Sequence, residues 1–198
     1  ACAARPGGPR GMAQAGEATA AACQDPDEAP AEWAPTDEEV WTALLRDWLL
    51  APGACVAASV GELADGDLRL LFAVPDWDRV HAERHREEIT QDDMSTSFRE
   101  IDEQANLGAL VRGDKPDGGL WLAGEMYLVT LSRDENWDGT GMKVIFANRP
   151  QKGAWIVAVD SLVVVALYDE AQHADQNAFR CRRAVLDLAR HLVGEGWA

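Results

Sequence analysis

The sequence predicts an α+β domain: an antiparallel sheet of about five strands, with helices packed mainly on one face, in the order α-ββ-α(α)-βββ-α. Three observations carry this reading. Apolar runs of strand length are joined by short, turn-rich connections, which suit antiparallel neighbours. Helical periodicity opens and closes the ordered part of the chain. Nowhere does a strand–helix–strand repeat call for a parallel sheet.

The first helix starts at Thr36, where Glu39 three residues later completes a capping box. Asp37, Glu38 and Glu39 fill its first turn, where the helix dipole favours negative charge. Val40, Trp41, Leu44, Leu45 and Trp48 follow at helical spacing, and Pro52-Gly53 ends the element. The runs Ala54–Val60 and Leu68–Val74 read as a hairpin across the Asp65-Gly66 turn, stopped at Pro75. Residues 76–112 are polar and read as helical, with a charged helix from Val80 to Ile89 and a second beginning at Ser95 or Thr96. A Gly- and Asp-rich loop over 113–119 follows.

Three strands are then expected: Leu120–Leu131, Met142–Ala147 and Ala154–Leu167. The last is apolar on both faces, which predicts a central strand, with a bulge at Asp160-Ser161 accommodating its length. A final helix runs from about His173 to Val193 on the seam Ala174, Ala178, Cys181, Val185, Leu188 and Leu192. The segment Lys152-Gly153-Ala154-Trp155-Ile156-Val157 resembles the Gly-x-Trp strand opening of cystatin-like and nuclear-transport-factor-2-like proteins. That resemblance implies a curved antiparallel sheet wrapped around a helix, and no functional residue is carried over from it.

The expected domain organisation is a disordered, Ala/Gly/Pro-rich acidic arm over 1–35 followed by a single globular domain over 36–198. The arm has almost no large apolar residue before Trp33, so it cannot offset its ordering entropy; Glu32-Trp33 is its one candidate docking element. The chain carries 34 acidic and 18 basic residues, a net charge of −16, while remaining 47% hydrophobic. Such a body repels nucleic acid and anionic membranes and attracts cations and basic surfaces. No apolar stretch approaches the roughly 20 residues that cross a bilayer. Cys2, Cys23, Cys55 and Cys181 lack the short spacings of zinc or redox motifs. The expected location is cytoplasmic, with export or lipid anchoring through Ala1-Cys2 as the alternative.

The candidate chemistry is sparse, and no nucleophile or phosphate-loop motif is present. His81 and His85 would share one face of a helix one turn apart, a spacing that metal ions use. Glu125 and Asp160 are carboxylates set in apolar strands and would form an acid/base pair if the sheet brought them together. Asp76-Trp77-Asp78 and Asn136-Trp137-Asp138 place an indole between polar residues, the pattern of an aromatic anchor at a binding surface. The sequence therefore predicts a small acidic binding protein, inhibitor- or immunity-like, that recognises a partner with a basic surface through Trp77, Trp137, Asp76, Asp78 and Asp138. No cofactor is expected. The alternatives are a metal- or carboxylate-dependent hydrolase and an exported ligand-binding domain.

Overall fold

The computed structural model describes residues 36–90, 94–116 and 119–197. The predicted arm, with Trp33, Cys2 and Cys23, lies outside the described residues. Two helical elements open the domain: α1 (Asp37–Leu45) and a π-helical turn, Arg46–Leu50. The capping box forms: Glu39 N–H donates to Thr36 Oγ1, and Thr36 N–H donates to the Glu39 carboxylate at 2.8 Å.

A hairpin follows, β1 (Ala57–Ala64) and β2 (Asp67–Val74). Asp65 and Gly66 both take positive φ, 53° and 88°, which matches the twist of the flanking strands. The pairing shifts between Val60 and Gly61. A Cβ at Gly61 would lie 2.6 Å from the Arg69 carbonyl oxygen, so only glycine fits there.

The next segment departs from the predicted helices. His85–Thr90 (β3) and Thr96–Ile101 (β4) form an antiparallel ribbon. The physical reason is in the pairing: Arg86 stands opposite Glu100 and Glu87 opposite Arg99. Opposite charges meet across the ribbon, and alternate residues are half-buried, as a two-residue period requires. A single helix, α2 (Glu103–Arg112), succeeds it. Asp102 caps its start by accepting from Ala105 N–H, and Gly113, at φ 101°, closes its end in the left-handed conformation.

The remaining strands form a continuous meander: β5 (Leu120–Leu122), β6 (Glu125–Trp137), β7 (Thr140–Arg149), β8 (Lys152–Val159) and β9 (Leu162–Asp169). The chain ends in α3 (Ala178–Gly194), capped by Asn177. Its start is later than the sequence suggests. Asp169 Oδ1 accepts from Ala171 and Gln172 N–H, and Gln176 accepts from Asp169 N–H, which holds the intervening residues in turns.

Three further expectations are corrected. The single run Leu120–Leu131 divides at Ala123-Gly124, where both residues take positive φ. The polar stretch 132–137, between the expected strands Leu120–Leu131 and Met142–Ala147, continues β6 to the Asp138-Gly139 turn. The long apolar strand Ala154–Leu167 is two strands; Asp160-Ser161 is a hairpin turn, not a bulge, and Asp160 sits at φ 47°. Both strands are apolar on both faces because both faces of the sheet are covered.

The order across the main sheet is β2-β1-β9-β8-β7-β6-β5. The architecture is thus a curled seven-stranded antiparallel sheet plus a two-stranded ribbon, not about five strands. Helices cover both faces, α2 alone on one of them. Leu45, Leu49, Cys181, Val185 and Leu188 pack on the side presenting Val144, Val157 and Val164. Leu107, Leu110 and Val111 pack on the other, against Ile145, Ile156 and Val165. Among the described residues, no helix is long and apolar enough to cross a membrane.

Candidate functional site

The sheet does not bring Glu125 and Asp160 together. Asp160 follows Val159, which pairs with Met142, which pairs with Glu135. That level is about ten residues along β6 from Glu125, roughly 33 Å at the usual strand rise. Asp160 is an exposed turn residue, so the expected acid/base pair is absent.

His81 and His85 are not on a helix. His81 follows the 3-10 turn Trp77–Arg79, and its Nδ1 lies 3.5 Å from the Glu103 carboxylate. His85 opens β3, with Nε2 3.7 Å from Glu87 and its ring edge-on to Trp121 at 5.4 Å. The helical spacing that would have aligned the two rings is gone. Among the described residues, no group of three or more His, Cys, Asp or Glu side chains could hold a metal ion.

Trp137 and Asp138 stand at the β6–β7 turn, where the half-buried indole packs against the core beneath α3. Trp77 is 44% exposed, just past β2, flanked by exposed Asp76 and Asp78, and Asp78 lies beside Glu125, at the opposite end of β6 from Trp137. The two tryptophans therefore do not form one surface.

The structure instead groups Asp78 with Glu125. Both line a half-open pocket of 190 Å³, together with Arg79, Lys152, Asp169 and Gln172. Glu125 is its electrostatic centre. It accepts from Lys152 Nζ at 3.1 and 3.2 Å and pairs with Arg149 at 3.1 Å. Lys152 also reaches Asp169 at 3.6 Å. Tyr127 lies behind this network, and burial, reinforced by the Glu125 carboxylate, pushes its phenol well above the ordinary range. The phenol stays protonated and neutral across physiological pH.

Beside the network runs an apolar strip. Strand alternation turns Tyr127 inward and Met126 and Leu128 outward, and these two are 54% and 68% exposed. Asn148, Arg149 and Pro150 from the β7–β8 turn form the facing wall of a shallow groove over them. A second apolar groove, about 350 Å³, continues past Leu128 to Pro116 and Leu110 of the α2 end. Exposed Met and Leu side chains bordered by paired charges have the anatomy of a protein interface: an apolar centre with a polar rim.

The backbone under this surface is held from within by Glu103. Its side chain is buried and accepts from Ala82 N–H at 2.8 Å, Ala123 N–H at 3.0 Å and Gly124 N–H at 2.6 Å. One carboxylate thus joins the start of α2, the segment after the 3-10 turn, and the β5–β6 turn that delivers Glu125. In the sequence, Asp102-Glu103 looks like routine helix-start acidity, and nothing singles out Glu103 as buried. The signals for Met126 and Leu128 were present: both lie on the outward parity of an amphipathic strand.

A separate aromatic cluster, two half-buried rings and the exposed Trp197, lies beside α1. Trp41 stacks on Phe72 at 6.3 Å and meets Trp197 edge-on at 5.2 Å.

Comparison with known proteins places these features in a family context. A family model described as profilin matches residues 39–197. A profilin of Plasmodium berghei is 23% identical over 167 residues, covering 79% of this chain and 95% of that protein. Among solved structures, Acanthamoeba castellanii profilin IA is similar with a TM-score of 0.52 at 18% identity, covering 79% of this chain and 98% of that one. A Schizosaccharomyces pombe profilin is similar with a TM-score of 0.51 at 21% identity, over the same shares. These likenesses concern the fold.

Proposed function

The chain belongs to the profilin family, and from that premise we propose that it binds actin through the apolar strip of Met126 and Leu128. Profilins are actin-binding proteins, so the inhibitor- or immunity-like reading and the hydrolase reading are set aside, and with them the basic-surfaced partner. Acidic composition pointed to a generic basic partner only because no motif in the chain names a specific one.

The observation that carries the surface assignment is the exposure of Met126 and Leu128 on a regular strand, facing the groove walled by Arg149 and Pro150. Two large apolar side chains exposed side by side, continuous with an apolar groove, form the kind of patch that supports an interaction site. The ion network of Glu125, Arg149 and Lys152 supplies the rim, where charge sets register more than affinity. Trp77, next to the pocket residues Asp78 and Arg79, is the sequence-derived anchor we assign to the edge of this interface. Family membership also supports a cytoplasmic location, in keeping with actin as partner.

The test uses the purified full chain and monomeric actin, with affinity read from fluorescence titration. The Met126→Asp/Leu128→Asp variant removes two anchors of about 1 kcal/mol or more each, so binding weakens at least about tenfold. Trp197→Ala, in the separate aromatic cluster, leaves affinity unchanged. Wild-type protein that fails to bind actin refutes the function. A double variant that binds as tightly as wild type refutes the surface.

A further inference from the structure

Cys55 and Cys181 come from distant parts of the chain, 126 residues apart, yet their sulfurs lie 3.4 Å from each other. Cys55 sits in the irregular segment between the π-helical turn and β1; Cys181 lies in the first turns of α3. Both thiols are buried, and Cys181 directs a second, longer contact of 3.6 Å to the Ala166 carbonyl oxygen. In the sequence they look like two small core hydrophobes. In the structure they are a matched pair in contact.

We propose that Cys55 and Cys181 are an oxidative modification site, closing to an intramolecular disulfide when a peroxide reaches them. A disulfide has an S–S distance of about 2.05 Å, so the sulfurs must approach by roughly 1.4 Å. Cys55 N–H is tied to the Leu49 carbonyl oxygen at 3.1 Å, so rotation of the two short side chains, with a small backbone shift, must supply that movement. A groove lies one residue away from the pair. It measures 290 Å³, runs between the first helical segment and α3, and is lined by Ala54, the neighbour of Cys55, and by Phe179 and Ala184, which flank Cys181 on its helix.

The chemistry balances with the peroxide as the only co-reactant. The Cys55 sulfur attacks a peroxide oxygen, giving a sulfenic acid and one water. The Cys181 sulfur then attacks the Cys55 sulfur and expels the hydroxyl as a second water. Two thiols lose two electrons and two protons, and one hydrogen peroxide is reduced to two waters. Burial pushes the Cys181 thiol well above its usual range, with the adjoining Cys55 adding to the shift. Attack requires the thiolate, so closure is slow at neutral pH and accelerates as pH rises. The bridge ties the approach to β1 to α3 across the face on which both helical ends pack.

The test uses the full chain carrying Cys2→Ser and Cys23→Ser, so that the pair holds the only thiols. After hydrogen peroxide treatment the protein is denatured, alkylated with a maleimide and weighed intact. The expected product is a monomer lighter by two hydrogens, carrying no maleimide, with both thiols recovered after dithiothreitol. Its thermal midpoint rises by several degrees over the reduced protein, because cross-linking a long loop restricts the unfolded chain. Two alkylatable thiols after treatment, added oxygen at either sulfur, or a cross-link between chains overturns the proposal. Cys55→Ser is the control: peroxide then leaves its thermal midpoint unchanged. Should that variant not fold, the mass and midpoint of the thiol pair still decide the matter.

Discussion

Replacing Glu103 with alanine should cost about 3 kcal/mol of stability and loosen the proposed actin face. The magnitude follows from the hydrogen bonds. The carboxylate accepts from Ala82, Ala123 and Gly124 N–H, at 2.8, 3.0 and 2.6 Å. A buried donor left unsatisfied costs about 1–3 kcal/mol. Gly124 is exposed and can turn to water, so the loss falls on Ala82 and Ala123, which are half-buried. The one methylene that is lost, Cγ, adds about 0.8 kcal/mol. Relief from burying a charge offsets part of the sum, which leaves about 3 kcal/mol. Urea unfolding of a chain this size has a slope near 2 kcal/mol/M, so the midpoint should fall by roughly 1.5 M. Glu103→Gln keeps one carbonyl oxygen in place and should lose about half as much. Hydrogen exchange supplies the specific readout: the amides of Ala82, Ala123 and Gly124 should lose protection together, well before the sheet core opens. A Glu103→Ala protein within about 0.5 kcal/mol of wild type, the scatter of an ordinary surface change, with those amides unchanged, would refute the reasoning.

Gly153→Ala should destabilise by about 1–3 kcal/mol, since its Cβ would lie 2.6 Å from the Tyr168 ring on the paired strand; thermal melts of Gly153→Ala with and without Tyr168→Val check this, the double variant recovering part of the loss. Leu188→Ala, fully buried between α3 and the sheet, should cost about 2–5 kcal/mol in chemical denaturation. The Ala105 N–H, and after it Arg84, hold the Asp102 carboxyl below its usual range despite partial burial. A depressed carboxyl contributes stability that is present above the unfolded-state value, near 4, and lost as pH falls through the lower folded value. Asp102→Asn should therefore narrow the gap between stabilities measured at pH 7 and pH 2; an unchanged gap counts against that linkage.

Local chemistry was legible wherever a few neighbouring residues decide the outcome. The Thr36–Glu39 capping box and the Asp65-Gly66 turn are of this kind, since each depends on side chains within four residues. The ribbon was not legible by the same means. Its residues pair Arg86 with Glu100 and Glu87 with Arg99, a complementarity visible only once the register is known. Read as a single strand, the alternating charges look like a solvated helix. The β8–β9 hairpin was hidden for another reason: with both faces covered, polarity does not alternate, and only Asp160-Ser161 marks the reversal. At the candidate site, Glu125 was singled out, but for the wrong companion. Its partners Arg149 and Lys152 flank the Pro150-Gln151 turn, more than twenty residues away in the sequence. Glu103 escaped notice because nothing short of the fold distinguishes a buried acid from one that merely starts a helix.

The main sheet is assembled out of sequence order. The strands from β5 to β9 each neighbour the next in the chain, whereas β1 waits for β9, with Ala57 pairing to Leu167. During synthesis the β1–β2 hairpin must leave the ribosome long before the strand it pairs with exists. Until then one ladder of β1 is unsatisfied, an open edge of the type that captures other chains. The meander can form from local contacts alone, but joining the hairpin to it requires closing a loop of more than a hundred residues. Folding should therefore reach its slow step only when the last third of the chain is free, and a nascent chain halted before β9 is the form most exposed to aggregation.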